Sequence, residues 1–213
     1  NVVPALAVAE LSCTPELGKQ VIESFGHLDP KVTYELKEPG LVITAQGVQA
    51  HGASPEKGEN AIGRLLLSLS RLPLIGELHQ VMNFLGEKIG LEVHGVSMGI
   101  DLRDNASGRL SFNLGVIDGD DKGLTVKINY RYPVTHTYAE CAPQLDNKFR
   151  KNGFTKVSEF HKQALYVDPK TDYIQTMLGV YGEMTDFEPK TICIGGGTYA
   201  KSIPHIVAFG PIF

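Results

Sequence analysis

The amino-acid sequence predicts an α+β fold, in which two open-faced sandwiches of helices on antiparallel sheets follow one another and a short α/β segment comes last. Short stretches between turn residues that are either apolar or alternate apolar and polar residues predict the strands. Apolar residues at helical spacing predict the helices between them. The chain has 213 residues, of which 42% are hydrophobic, so it can bury one core or two small ones.

The first sandwich is predicted to cover about residues 1–100. Thr14 can cap a helix that has Pro15 in its first turn and stops at Gly26. A proline-glycine turn joins two alternating stretches and therefore predicts a hairpin. The predicted elements are a strand at residues 2–11, a helix at 14–25, hairpin strands at 31–37 and 41–45, and helices at 60–72 and 75–89.

The second sandwich repeats this pattern over residues 101–165, and the pattern changes near Tyr166. Its predicted elements are strands at 110–117 and 124–132, a helix at 138–151 and a strand near 154–161. The last segment, 166–213, is predicted to hold a helix at 171–185, a strand at 191–194, a glycine loop and a strand at 206–209. Two tandem ferredoxin-like units with a domain boundary near Tyr166 are the simplest interpretation.

Composition argues against several classes of partner. The 20 Lys and Arg residues and 24 Asp and Glu residues give a formal charge of −4, which does not attract nucleic acid or an anionic membrane. No apolar run approaches the roughly 20 residues that span a bilayer. The three cysteines form no C-x-x-C pair, which suggests a reduced, cytoplasmic protein. An opening residue other than Met and an apolar final stretch lead us to expect a fragment of a longer protein.

The histidines do not form a metal site of their own. The seven histidines include no pair at i, i+2 or i, i+4, whereas a catalytic zinc ion needs three or four protein ligands. The sequence also lacks a Gly-x-Ser-x-Gly elbow and a phosphate-binding loop. We therefore predict no metal ligand in this chain and no catalysis by the chain alone.

Three segments resemble the M20 metallopeptidases, in the order in which that family has them. Residues 42–64 contain GVQAHGASPEKGENA and are similar to the family's lid motif. Residues 130–133, YRYP, resemble a strand that ends in an arginine, and residues 194–200, IGGGTYA, resemble the loop by which the chain returns to the catalytic domain. The triple glycine and the tandem lid are similar to the PepV-like dipeptidase branch.

This resemblance implies a domain organisation and a cofactor. Residues 1–165 would be the lid, with subdomains of about 1–100 and 101–165, and residues 166–213 would return to the catalytic domain. The full-length parent would be a zinc-dependent cytoplasmic dipeptidase, with dipeptides and the rest of its own catalytic domain as partners. The resemblance places the ligands of its two zinc ions outside this sequence.

The resemblance also implies roles for individual residues. His51 would stabilise the oxyanion that forms on the scissile carbonyl, although a lone histidine in a loop more often only orders that loop. Arg131 would grip the substrate's carboxylate, and the alternative is a surface salt bridge. The remaining predicted substrate-binding residues, of which the glycines could also form just a tight turn, are Gly195, Gly196, Gly197, Thr198 and Asn1.

Two other functions remain open at this point. A desuccinylase or aminoacylase of the same family shares the lid motif but cleaves an acyl amide. A ferredoxin-like regulatory module would bind an amino acid without chemistry.

Overall fold

The computed structural model of the chain describes residues 2–204 and 206–209. Its strands are β1 (Val2–Val3), β2 (Leu6–Ser12), β3 (Val32–Lys37), β4 (Gly40–Gln46), β5 (Ala50–His51), β6 (Arg103–Asp104), β7 (Gly108–Arg109), β8 (Ser111–Gly119) and β9 (Leu124–Arg131). Its α-helices are α1 (Pro15–Phe25), α2 (Ala61–Leu69), α3 (Gly76–Phe84), α4 (Tyr138–Lys151) and α5 (Asp172–Met184). The described residues also form a π-helical turn at Leu85–Ile89 and 3-10 helices at Pro55–Lys57 and Tyr199–Ser202. This mixture of helices and small antiparallel sheets confirms the α+β fold class.

A three-stranded antiparallel sheet in the order β2-β4-β3 forms the base of the first half. β4 alternates buried and partly exposed residues, and Leu41, Ile43 and Ala45 are at most 2% exposed. Because side chains alternate across a strand, these three lie on one face of the sheet, toward the core. The hairpin predicted from the alternation is confirmed as β3 and β4.

Local capping signals determine where the first two helices begin. The Thr14 side chain accepts a hydrogen bond from the Leu17 N–H at 3.3 Å, and Pro15 occupies the first turn of α1. Asn60 caps α2 in the same way, because its Oδ1 accepts from the Gly63 N–H at 3.2 Å. α2 then lies on the sheet with most of its residues buried. Both helices confirm the sequence prediction.

The helix predicted at 75–89 is α3 followed by the π-helical turn Leu85–Ile89. The wider turn buries Leu85 and Ile89 together against α2. Close packing at this contact depends on Gly63 of α2, because a Cβ there would lie 2.1 Å from the Gly90 carbonyl oxygen. Periodicity alone therefore predicted the length of the helical segment but not its change of pitch.

The second half contributes to the same core. β8 and β9 form an antiparallel hairpin with a bulge between Leu114 and Val116, and Phe112 and Leu114 are at most 1% exposed. Cys141 and Leu145 of α4 belong to one continuous core with the residues of β4 and α2. Thr137 and Glu140 form a capping box at the start of α4.

Three of the predicted strands are wrong: residues 154–161, 191–194 and 206–209 have no strand structure. Residues 154–161 are held through side chains instead, because Tyr132 and His161 share a hydrogen bond of 2.8 Å and Lys156 pairs with Asp146 at 2.6 Å. None of the three segments pairs with another strand among the described residues. Hydrogen bonding to the backbone of a neighbouring strand is what makes an extended segment a β-strand.

The last helix, α5, confirms the prediction for residues 171–185, and Ile174 is its buried residue. Across the part of the chain that the structure describes, no helix combines the length and the apolar character needed to cross a membrane.

Candidate functional site

His51 lies at the end of β5, where the chain turns sharply. The Ser54 N–H donates to the His51 carbonyl oxygen at 2.8 Å, and the Ala53 N–H donates to Nδ1 of the His51 ring at 3.1 Å. Because Nδ1 accepts this bond, the neutral ring carries its proton on Nε2. The side chain is exposed, and no described residue partners Nε2. His51 therefore presents an oriented N–H donor to any group that binds beside it.

The loop that carries His51 is closed tightly at its base. Val48 and Glu59 exchange two backbone hydrogen bonds of 2.9 Å. The approach is close enough that a Cβ on Gly47 would lie 2.1 Å from the Glu59 carbonyl oxygen. The glycine at the start of the motif is therefore required by space, and it helps to hold the loop in one conformation.

The side-chain amides of two asparagines, one buried and one partly buried, connect this loop to the hairpin of β8 and β9. Asn113 is 2% exposed, and its Nδ2 donates to the Val2 carbonyl oxygen at 3.0 Å. Asn60 donates from Nδ2 to Oδ1 of Asn113 at 3.3 Å and to the Leu114 carbonyl oxygen at 2.8 Å. Val2 lies directly opposite His51 in the pairing of β1 with β5. The sequence prediction missed Asn113, whose signal is an amide inside an otherwise apolar stretch of strand.

Arg131 ends β9 and is partly buried, with Ser111 directly opposite on β8. Its Nε donates to Oδ1 of Asn129 at 3.4 Å, and no carboxylate among the described residues pairs with it. Burial lowers the pKa of Arg131 from its ordinary value. The hydroxyl of Ser111 is buried and has no hydrogen-bond partner among the described residues. A bound anion could therefore satisfy both side chains. Ser111 is a second residue that sequence reasoning missed.

The glycine loop contacts the loop that carries His51. A Cβ built on Gly195 would lie 2.4 Å from the Cβ of Ala53, so the Gly195 backbone packs against the Ala53 methyl group where only a glycine fits. Thr198 precedes the 3-10 helix Tyr199–Ser202, and its carbonyl oxygen accepts from the Lys201 N–H at 3.2 Å.

Most of these residues line one large open cavity, which has a volume of about 2280 Å³. Its lining includes Ser111 and Arg131 from the hairpin, Ala53 and Ser54 from the loop after His51, and Gly195, Gly196, Gly197 and Thr198 from the glycine loop. His51 is not among the described residues that line it, although Ala53 and Ser54 are. Asn1 lies outside the described residues. A cation, an unpaired hydroxyl and a glycine loop are therefore among the groups that line this cavity, and His51 lies just outside it at the end of β5.

Within residues 2–204 and 206–209, no group of three or more His, Cys, Asp and Glu side chains could hold a metal ion. A zinc centre does not fit the residues that the structure describes.

Comparison with known proteins gives consistent matches. The family model described as "Peptidase dimerisation domain", of the M20 peptidases, matches residues 40–155. A protein of Staphylococcus haemolyticus (strain JCSC1435) named "Putative dipeptidase" is 30% identical over 174 residues, and one of Staphylococcus aureus (strain USA300) with the same name is 31% identical over 175 residues. Each match covers 81% of this chain, and the chain spans 37% of the length of these relatives.

Proposed function

Because the chain belongs to the M20 peptidase family, we propose that residues 1–165 are the substrate-clamping lid of a zinc-dependent cytoplasmic dipeptidase and that residues 166–213 belong to its catalytic domain. The observation that carries the proposal is the oriented donor on His51, whose Nδ1 is occupied by the Ala53 N–H at 3.1 Å. The contact between Ala53 and Gly195 supports it, because the second substrate-binding loop then lies beside the first.

His51 donates its Nε2–H to the oxygen of the scissile carbonyl as that oxygen becomes negative during attack. A donor that is already oriented needs no reorganisation when the charge develops. Such a donor contributes about 3 kcal/mol to the stability of the transition state. The bond between Ala53 and Nδ1 matters here because it selects the tautomer with the proton on the outward nitrogen.

Arg131 binds the carboxylate at the C-terminus of the dipeptide. A planar guanidinium can donate two parallel hydrogen bonds to a carboxylate, and Arg131 has no acidic partner among the described residues. The unpaired hydroxyl of Ser111, directly opposite, adds a donor on the same face. The backbone of Gly195, Gly196, Gly197 and Thr198 closes this anion site, and Asn1 contacts the substrate from the lid.

The rest of the catalytic domain is the partner that covers the end of the lid and the segment that follows it. Several apolar side chains there are largely exposed: Val157 is 83%, Phe160 is 89% and Ile192 is 75% exposed. Apolar surface of this kind marks an interaction site. The two zinc ions belong to that domain, and the roles of His51 and Arg131 do not depend on their ligands.

Two further observations support the remaining parts of the proposal. All three cysteines are free, which fits a reduced cytoplasmic environment. The formal charge of −4 provides no general attraction for nucleic acid or anionic membranes. Dipeptides and the protein's own catalytic domain are therefore the partners that we propose.

Hydrolysis by the full-length protein tests this function. With zinc and a panel of dipeptides and N-acyl amino acids, we expect dipeptides to be hydrolysed fastest. His51→Ala should lower kcat by about 100-fold with little change in KM, because the donor acts on the transition state. His27→Ala, an exposed histidine outside the site, is the matched control and should leave kcat unchanged.

Each alternative function predicts a different result. Faster cleavage of N-acyl amino acids would identify an acyl-amide hydrolase. Saturable binding of free amino acids by this chain alone, measured by calorimetry, would favour a regulatory module. Turnover of dipeptides by this chain alone with added zinc, abolished by His51→Ala, would contradict the lid role.

A further inference from the structure

Asn113 is a polar residue enclosed in the middle of the apolar half of β8. It is 2% exposed, its Nδ2 donates to the Val2 carbonyl oxygen at 3.0 Å, and its Oδ1 accepts from Nδ2 of Asn60 at 3.3 Å. A buried amide left without partners costs about 1–3 kcal/mol. The two hydrogen bonds therefore restrain β1 and the start of α2 relative to β8.

On one side, Asn113 holds the loop that carries His51. Val2, whose carbonyl oxygen it binds, pairs directly with His51 across β1 and β5. Asn60, its other partner, follows the same loop and caps α2 through the Gly63 N–H. The amide pair thus restrains the loop both at His51 and at its far end.

On the other side, Asn113 belongs to the face of the hairpin that carries Arg131. Asn113 pairs with Asn129 and Ser111 pairs with Arg131, so the four side chains lie on the same face of the hairpin. Oδ1 of Asn129 accepts from Nε of Arg131 at 3.4 Å. A single side chain, Asn113, therefore bridges the strand pair of His51 and the strand pair of Arg131.

We propose that Asn113 is a positioning residue that sets the separation between His51 and Arg131, and so makes the site select substrates whose free carboxylate lies one residue beyond the scissile carbonyl. This inference rests on the proposed function, in which His51 binds the carbonyl oxygen and Arg131 binds the carboxylate. A dipeptide reaches both groups at once only when their separation matches its length. A displacement of about 1 Å between two such groups can cost 100-fold in rate.

The test compares one dipeptide with its C-terminal amide in the full-length protein, because the amide has no carboxylate for Arg131. Asn113→Leu keeps the branching and the number of side-chain heavy atoms and removes both hydrogen bonds. We expect the ratio of kcat/KM for the dipeptide to kcat/KM for the amide to fall at least about tenfold. Asn113→Ser, a smaller polar change, is the second variant if the first folds poorly. Adding Asn113→Leu to Arg131→Gln should lower kcat/KM less than it does in the wild type.

Val21→Ala is the matched control for a loss of stability alone. Val21 is 6% exposed on α1, and it is outside the network that connects His51 to Arg131. Fewer folded molecules reduce both rates equally, so the control should leave the ratio unchanged. An unchanged ratio in the Asn113 variants would overturn the proposal, because Asn113 would then only support the fold.

Hydrogen exchange separates this inference from the proposed function. Equal hydrolysis of the dipeptide and its amide by the wild type would contradict the role of Arg131 itself. Exchange of the Ala53 and Ser54 amides would still report on Asn113, because both donate to His51. We expect faster exchange in Asn113→Leu, and unchanged exchange would overturn the positioning role.

Discussion

The Cβ of Ala53 fills the space that a side chain at position 195 would need, because a Cβ on Gly195 would lie 2.4 Å from it. Ala53 also donates its N–H to Nδ1 of His51. The glycine loop and the His51 donor are therefore linked through one small residue. A change on either side of this contact should be detected on the other.

Gly195→Ala tests this contact. The added methyl group cannot share space with Ala53, so the glycine loop should move away from the His51 loop. We expect kcat/KM for dipeptides to fall about tenfold, mainly through KM, with little change in melting temperature because Gly195 is exposed. Ala53→Gly in the same protein should restore part of the loss. Absence of any restoration would show that the methyl group acts elsewhere.

Gly47→Ala should destabilise the first half of the chain. The new Cβ would lie 2.1 Å from the Glu59 carbonyl oxygen, which is backbone and cannot turn aside. We expect a loss of about 2 kcal/mol in the free energy of unfolding, measured by urea denaturation. Gly179→Ala in α5 is the matched control: nothing lies within 4 Å of its added methyl group, so it should slightly stabilise the helix. Equal effects of the two variants would contradict the steric argument.

Asp104 should make stability depend on pH in the acid range. Burial raises the pKa of Asp104, but hydrogen bonds from Ser107 and Thr135 outweigh burial and lower the pKa to about 2, from an ordinary value of 3.8. A depressed carboxyl pKa stabilises the folded state above the unfolded pKa, and this contribution is lost as the pH falls through the folded pKa. The contribution of Asp104 is therefore present above about pH 4 and disappears toward pH 2.

Asp104→Asn should lower the free energy of unfolding by about 2 kcal/mol at neutral pH, through weaker hydrogen bonds to a neutral group. The difference from wild type should vanish toward pH 2, measured as urea midpoints over a pH series. Thr135→Val removes the hydroxyl donor alone and should give a smaller difference over the same range. A difference that does not change with pH would show that charge is not involved.

The sequence predicted those parts of the fold that depend on neighbouring residues. The cap at Thr14, the hairpin of β3 and β4 and the start of α2 at Asn60 are all local, and each was found where the pattern placed it. The segment 154–161 was predicted as a strand, but a strand also needs a partner, and sequence pattern cannot supply one. The wider turn Leu85–Ile89 likewise follows from packing against α2, which periodicity does not register.

The same distinction between local sequence signals and long-range contacts applies to the candidate site. The motif around His51 could be recognised because its residues are adjacent in the chain. Asn113 could not be, because its partner Val2 is 111 positions away and the bond exists only in the folded chain. Ser111 was missed for a similar reason: its position opposite Arg131 is a matter of hairpin register. The roles of His51, Arg131 and the glycine loop stay predictions until the variants are measured.

The continuous core from β2 through α2 and β8 to α4 has a mechanical consequence. Side chains from both predicted sandwiches interlock in it, so they resist any hinge between them. His51 and Arg131 therefore belong to one tightly packed unit and keep their positions relative to each other. In the proposed function, a movement of the lid relative to the catalytic domain would therefore bring both groups to the substrate at the same time.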